Sequence, residues 1–161
     1  MAWRQLRPAD LPGVLGVAAV VHPGFPEDAA VLGERLALYP AGCFALDGPG
    51  FGLAGYLLSH PWRAFDPPPL NRRLGALPSV PTTYYIHDLA LHPTSHGTGA
   101  AGAILRRVFA LAAGGPALSL VAVNGSAGFW RHHGFAAVAR PELAAKLASY
   151  GLDAAFMTRP S

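Results

Sequence analysis

The chain has 161 residues, 52% apolar and 13% charged, with a formal charge of +3. That length suits one domain burying roughly 70% of the surface its unfolded form exposes, and the composition is the reverse of a disordered chain's. The 19 Gly and 16 Pro follow no period and the 12 basic residues form no dense block, which argues against a fibrous chain and against a nucleic-acid binder.

Trp3 to Arg7 reads as a short first strand. Asp10 and Pro12 stand where a helix N-cap and first turn belong, so the stretch to about Val21 reads as a soluble helix rather than a secretory signal, despite Arg4 and Arg7 ahead of it. His22 to Pro26 is a turn. Glu27 to Tyr39 has helical spacing, with Val31, Leu32, Leu36 and Leu38 on one stripe. Cys43 to Leu46 and Gly52 to His60 read as strands joined by the turn Asp47-Gly48-Pro49-Gly50. Cys43 is the only cysteine, so neither an internal disulfide nor a thiolate zinc cluster is available and no oxidising compartment is implied.

Pro61 to Thr83 holds Pro67-Pro68-Pro69, Pro78 and Pro81 together with Arg63, Arg72 and Arg73. A loop this long is either functional or a floppy connector. Tyr84 to Leu91 is a strand ended by Pro93, and a glycine-rich turn leads to a helix from Ala100 to Ala113. Ala117 to Val123 is uninterruptedly apolar, as in a strand covered on both faces. Ser126 to His133 is a short helix, Phe135 to Val138 a strand, Pro141 to about Tyr150 a helix, and Asp153 to Thr158 a last strand. No run approaches the roughly 20 apolar residues of a membrane span. These elements describe a single α/β (α+β) domain over residues 1–161 with a mixed sheet.

The densest chemical signal is His96-Gly97-Thr98-Gly99-Ala100-Ala101-Gly102, between a strand and a helix. Glycine lets a ligand approach the backbone, and the first helical turn offers free N–H groups at the positive end of the dipole, a combination suited to phosphate. Gly97, Gly99 and Gly102 formally satisfy G-x-G-x-x-G. The dinucleotide fingerprint, however, wants an acidic residue about 20 positions on, at the end of the next strand, and here that strand ends at Asn124. Too few residues follow for a doubly wound sheet. A P-loop fails because no Gly-Lys-Ser/Thr follows.

The segment instead resembles the acetyl-CoA-binding motif of the GCN5-related N-acetyltransferase (GNAT) superfamily: a strand, a Pro, then [Gln/Arg]-x-x-Gly-x-[Gly/Ala] opening a long helix. It reads here Leu89-Ala90-Leu91-His92-Pro93, then His96-Gly97-Thr98-Gly99-Ala100-Ala101. Asn124-Gly125-Ser126-Ala127-Gly128-Phe129-Trp130-Arg131-His132-His133-Gly134-Phe135 is similar to the family's N-x-x-A-x-x-[aromatic]-Tyr-x-x-x-Gly-Phe, one residue shorter between Asn124 and Trp130. His96 replaces the usual Gln or Arg, and Trp130 stands where many members carry a Tyr that protonates the departing thiolate. Indole offers no acidic proton.

The resemblance implies a mostly antiparallel central sheet of about 6–7 strands, with a splayed central parallel pair and flanking helices. It also implies direct transfer of the acetyl group of acetyl-CoA to a primary amine of a small molecule or protein, with no acyl-enzyme. The alternative is a non-catalytic acyl-CoA-binding module. N–H groups of residues 97 to 102, Thr98 and Ala101 included, would take the pyrophosphate beside His96. The backbone of Leu89, Ala90 and Leu91 would pair with the pantetheine arm like an added strand, one N–H near Leu91 polarising the thioester. Asn124, Ser126, Phe129 and Trp130 would line the other side, Asn124 also suiting a helix N-cap.

Asp88, where many members carry a carboxylate base, and His87 beside it are the candidates to take the proton of the amine; either also suits a structural hydrogen bond. Strand alternation sets Tyr84, Ile86, Asp88 and Ala90 opposite Tyr85, His87, Leu89 and Leu91, and a bulge would mix the two sets. Tyr84, Tyr85, Ser126 or water remain to protonate the thiolate. Cys43 lies far in sequence from both motifs, so a covalent route through it is not expected, and the seven His show no metal-ligand spacing. The acceptor would enter beside Glu27 to Tyr39 and the Pro61 to Thr83 loop, past His60, Trp62 and Arg63, whose arginines leave room for a negatively charged substrate. The expected setting is cytoplasmic, without nucleic acid or membrane, and the apolar fraction fits a homodimer.

Overall fold

Long apolar strands that alternate between two helical layers set the architecture. The computed structural model describes residues 1–50 and 52–161. Seven strands run in the order β1-β2-β3-β4-β5-β7-β6: β1 (Trp3–Gln5), β2 (Cys43–Asp47), β3 (Leu53–Trp62), β4 (Thr83–Leu91), β5 (Leu118–Ala122), β6 (Ala136–Ala137) and β7 (Ala155–Arg159). Every neighbouring pair is antiparallel except β4 and β5.

Two cores sandwich this sheet. Val14 and Val17 of α1 (Leu11–Val21) and Leu32 and Leu36 of α2 (Ala29–Leu38) bury against Ala45, Tyr56, Leu58 and Ala90. Ile104, Leu105 and Val108 of α3 (Ala100–Ala112) and Trp130 of α4 (Ala127–His132) pack on Phe44, Leu57, Ile86, Leu120 and Met157. Successive residues of β2 therefore serve opposite layers, Phe44 one and Cys43 and Ala45 the other, as a pleated strand requires. Trp3 Nε1 donates to the Ala100 carbonyl at 2.9 Å and ties the start of α3 to β1. Among the described residues, no helix is long and apolar enough to cross a membrane.

Several element boundaries differ from the sequence expectation for local reasons. Asp10 does not cap α1: its carboxylate accepts the Arg7 N–H at 2.8 Å and the Arg4 guanidinium at 2.8 and 2.9 Å, closing a 3-10 turn at Pro8–Asp10. The Arg4 hydrogen bonds hold the Asp10 carboxyl below its ordinary range. The second helix begins at Ala29, because Glu27 turns inward to His87 and Asp28 is extended. The helix expected from Pro141 is a short α5 (Leu143–Leu147) followed by a 3-10 turn at Ala148–Tyr150, ended by Gly151 at φ +90. The Phe135 to Val138 strand shrinks to two residues.

Residues 63–82 carry no regular secondary structure, yet they are no floppy connector. Glu34 accepts the Leu74 and Gly75 N–H groups at 2.6 and 3.0 Å, Arg35 donates to the Arg72 carbonyl at 3.0 Å, and Trp62 Nε1 donates to the Asp66 carbonyl at 2.7 Å.

Two irregularities set β4 apart from its neighbours. Its pairing with β5 runs only from Tyr84↔Leu118 to Ile86↔Leu120, although β4 continues to Leu91. Its register with β3 steps from Ser59↔Ile86 to Leu58↔Asp88, which makes His87 the extra residue of a bulge. Close contact between β3 and β4 is also required near Leu91: a Cβ on Gly55 would lie 2.8 Å from the Ala90 carbonyl oxygen and 2.7 Å from a Leu91 methyl. Gly55→Val is therefore expected to cost roughly 1–3 kcal/mol, the usual penalty of overpacking, read as a lower urea midpoint at unchanged slope.

Candidate active site

Where β5 leaves β4, the backbone of β4 loses its partner on one side. The His92 N–H donates to the Ala54 carbonyl at 2.7 Å, toward β3. Alternation then turns the main-chain groups of Ala90 toward β3 and those of Leu89 and Leu91 into the gap. A cavity of about 300 Å³ fills this gap. Ile86, His87, Asp88, Leu89 and Leu91 form one wall; Leu120, Val121, Val123 and Asn124 form the opposite one, continued by Ser126, Phe129 and Trp130. Ala90 is turned away, its side chain in the core beneath α1.

At one end the cavity meets His96 and the turn that opens α3. Gly97 and Gly99 have φ of +76 and +79, values L-residues with side chains avoid. The Thr98 hydroxyl donates to the Ser95 carbonyl at 2.6 Å and so fixes the turn. Ala100 N–H reaches Thr98 Oγ1 at 3.4 Å. Among the described residues, the N–H groups of Gly97, Thr98, Gly99, Ala101 and Gly102 have no acceptor within the protein. They crown the positive end of a helix 13 residues long, which is a site for an anion such as phosphate.

The other end is polar in a different way. The bulge brings His87 and Asp88, neighbours in sequence, to the same side of β4. Asp88 Oδ1 lies 2.9 Å from His22 Nε2, and the Tyr56 hydroxyl donates to Asp88 Oδ2. Asn124 Nδ2 lies 3.1 Å from His22 Nδ1. These partners assign the neutral tautomer, with Nε2–H donating to the carboxylate and Nδ1 accepting from the amide. Burial works against protonation of His22, but the hydrogen bond and charge of Asp88 outweigh it and hold the imidazole above its usual range. Burial and the Asp88 charge both push the Tyr56 phenol up.

Beside this chain of groups, His87 Nε2 lies 2.8 Å from Glu27 Oε1, and the Asn71 N–H donates to Glu27 Oε2 at 3.0 Å. Burial opposes ionisation of Glu27, yet His87 and Asn71 prevail and its carboxyl lies below the ordinary range. Asn124 and Gly125 have φ of +56 and +68. That pair of left-handed residues ends β5 abruptly and directs the Asn124 amide back to His22.

Of the residues singled out from sequence, His87, Asp88, Leu89, Leu91, His96, Asn124, Ser126, Phe129 and Trp130 all line the cavity. Gly97, Thr98, Gly99, Ala100 and Ala101 form the turn at its end. Tyr84 does not belong to the site: it faces the α3 layer, and its hydroxyl is shared with Ser59 Oγ at 2.9 Å, Ser59 donating in turn to the Gly42 carbonyl at 2.7 Å. Tyr85 is fully enclosed and absent from the cavity wall. The N-cap of α4 is Ser126, not Asn124. His60, Trp62 and Arg63 do not line the cavity either. His60 is buried, which pushes its imidazole down to about 3, and Arg63 lies over the Trp62 ring at 4.2 Å.

Sequence reasoning missed His22, Glu27 and Tyr56. Each is one polar residue in a turn or an apolar strand, and only the fold gives them partners. Burial pushes the Cys43 thiol up to about 12, so it is no nucleophile at neutral pH. Among the described residues, no three His, Cys, Asp or Glu gather as a metal site would require.

No protein-family model matches the chain, and no curated protein does. Solved structures do. A GNAT-like decarboxylase, GphF, in complex with isobutyryl-CoA superposes with a TM-score of 0.80 at 17% identity, over 99% of both chains. The loading GNATL domain of CurA from Lyngbya majuscula gives 0.76 at 12% identity, over 99% of this chain and 96% of that one. Naa20 of Chaetomium thermophilum, in complex with a bisubstrate analogue, gives 0.72 at 16% identity, over 99% and 86%. The chain has the GNAT fold.

The two His–carboxylate pairs should be visible in stability. The folded value of His22 lies above the ordinary 6.5, so its contribution is complete below about 6.5 and vanishes as pH rises through the raised value. For Glu27, with a depressed value, the contribution is complete above about 4.5 and vanishes as pH falls. Urea unfolding across this range should therefore show the deficit of His22→Gln shrinking on the alkaline side and that of Glu27→Gln shrinking on the acid side.

Proposed function

We propose that this protein is an N-acyltransferase that passes an acyl group, acetyl first among candidates, from coenzyme A directly to a primary amine. The observation that carries the reading is the gap beyond Ile86 and Leu120: an N–H-rich helix start lies at one end of it and a histidine–carboxylate cluster at the other, with unpaired strand backbone between them. Solved structures of this fold in complex with isobutyryl-CoA or CoA support the coenzyme without selecting the acyl chain.

On this reading the free N–H groups of residues 97–102 hold the pyrophosphate, and the Leu89 and Leu91 backbone holds the pantetheine amides. An ammonium group with a pKa near 10 must lose its proton before it can attack. His22 takes that proton on Nδ1, the nitrogen it now shares with Asn124, while Asp88 keeps Nε2–H in place and stabilises the imidazolium. Tyr56 fixes Asp88, and Glu27 fixes His87. The amine nitrogen bonds to the thioester carbon, the C–S bond breaks, and the thiolate leaves. A thiol with a pKa near 8.5 leaves without a dedicated acid; the surplus proton on the acylated nitrogen passes to the thiolate by way of Ser126 or water. A cytoplasmic setting, with no nucleic acid or membrane involved, belongs to the same proposal.

A second reading, an acyl-CoA-binding module without turnover, is favoured by Trp130 at the position of the usual acid. Thermal shift and thiol release separate the two. Acetyl-CoA at a hundredfold excess over Kd should add about 2.7 kcal/mol of stability; no shift with acetyl-CoA, CoA or longer acyl-CoAs sinks both. Ala101→Asp puts a carboxylate in the first turn of α3, where it suits the helix but repels phosphate, so the fold should persist while Kd for CoA rises at least ~10-fold. Asp88→Asn and His22→Ala should keep the CoA-induced shift and lower kcat by roughly 10²–10⁴; full turnover in both would remove His22 as the base.

A further inference from the structure

Within five residues, the loop between β3 and β4 crosses from one wall of the amine end to the other. The Tyr150 hydroxyl donates to the Pro68 carbonyl at 2.8 Å, and the Leu70 N–H donates to Ser149 Oγ at 2.9 Å. One residue on, Asn71 donates its N–H to Glu27, while its side-chain oxygen accepts the Asp28 N–H at 2.7 Å. Arg35 then holds the Arg72 carbonyl. The strap thus joins the 3-10 turn after α5 to the turn between α1 and α2, and it seats Leu70 in the cavity wall along with Glu27 and Tyr150.

What remains open is a second hollow of about 270 Å³, which shares Phe25, Val123, Asn124 and Tyr150 with the first and runs past Gly151 to Ala154. The carboxylates facing the amine end are each already committed to a histidine of the same cavity, Asp88 to His22 and Glu27 to His87. Asp153 lines the second hollow, and among the described residues no lysine or arginine lines either. The loop arginines point elsewhere: Arg63 pairs with Asp66 at 3.2 Å, and Arg72 and Arg73 are exposed. The rest of the amine end is apolar, supplied by Val21, Phe25, Leu70 and Val123. A carboxylate on the acceptor would meet Glu27 and Asp88, whose histidines are already paired with them, and would find no uncommitted cation. The strap also walls one side of the cavity, which leaves a folded protein less room to present a lysine than a small amine has.

We propose that the acceptor is a compact primary amine on an uncharged, apolar body, and that Leu70, held in place by the strap, sets the room for that body. This rests on the acyltransferase reading above. The test is thiol release from acetyl-CoA with hexylamine, with 6-aminohexanoate (a like chain bearing a carboxylate) and with a lysine peptide blocked at both ends. Hexylamine should exceed the other two in kcat/KM by at least ~10-fold. Leu70→Trp should raise KM for hexylamine at least ~10-fold while leaving the acetyl-CoA-induced stabilisation as in the wild type, and Leu70→Ala should shift preference toward decylamine. Equal rates with 6-aminohexanoate or the peptide, or Leu70 variants with unchanged KM and unchanged preference, overturn this proposal and leave the acyltransferase reading standing. Binding of acetyl-CoA without thiol release to any amine overturns both.

Discussion

Everything distinctive about this molecule stems from two strands that part company. Parallel neighbours in a sheet ordinarily stay paired, because unpaired N–H and C=O groups away from water are costly. Here β4 and β5 pair over three residues and then diverge, while β3 stays paired with β4 as far as Leu91. The polar edge of Leu89 and Leu91 is thereby left facing a cavity instead of a strand. Such an edge is a template for another extended chain. The layers on either side hold the gap open: Ile104 and Leu105 of α3 pack against β4 and β5 from one face, and α1 presses on β3 and β4 from the other.

The bulge at His87 is the second constraint, and it explains why two titratable neighbours act together. In a regular strand, His87 and Asp88 would face opposite layers. The extra residue turns both to the α1–α2 side, where His22 and Glu27 await them. All four carboxylate oxygens of Glu27 and Asp88 have partners. Removing one partner strands a buried charge, which typically costs 3–5 kcal/mol where burial is complete and less where, as at Asp88, some exposure remains. The arrangement therefore orients its imidazoles strongly, and breaking either pair is felt in stability.

The glycine turn and the order of elements were legible in the sequence because both rest on local rules. Gly97 and Gly99 occupy backbone regions other residues avoid, and the apolar stripe of Ile104, Leu105 and Val108 can only be a helix face. The cavity walls from Leu89 to Trp130 followed from the resemblance that those motifs carry. His22, Glu27 and Tyr56 were not legible, because a single polar residue in a turn or an apolar strand announces no partner. Tyr84 was misjudged for the opposite reason: strand position gave its place along β4, but which layer it faced depended on a bulge whose position no local rule fixes. The loop of residues 63–82 looked either functional or slack, and long-range bonding to Glu34, Arg35, Ser149 and Tyr150 decides the matter.

Trp130 belongs to the cavity wall as a packed aromatic residue. It is 7% exposed, with ring centroids 4.9 Å from Phe129 and 5.4 Å from Phe135, both edge-on. That cluster stiffens the wall that carries Ser126 and Phe129, a packing role a tyrosine would fill less completely. Indole N–H is not acidic, so no proton can come from there. The polar groups of the cavity lie elsewhere, where His22 is held 2.9 Å from Asp88. The cavity thus gathers His22, Glu27, His87 and Asp88 at one end and an aromatic cluster around Trp130 in its wall, two environments of opposite polarity in one gap.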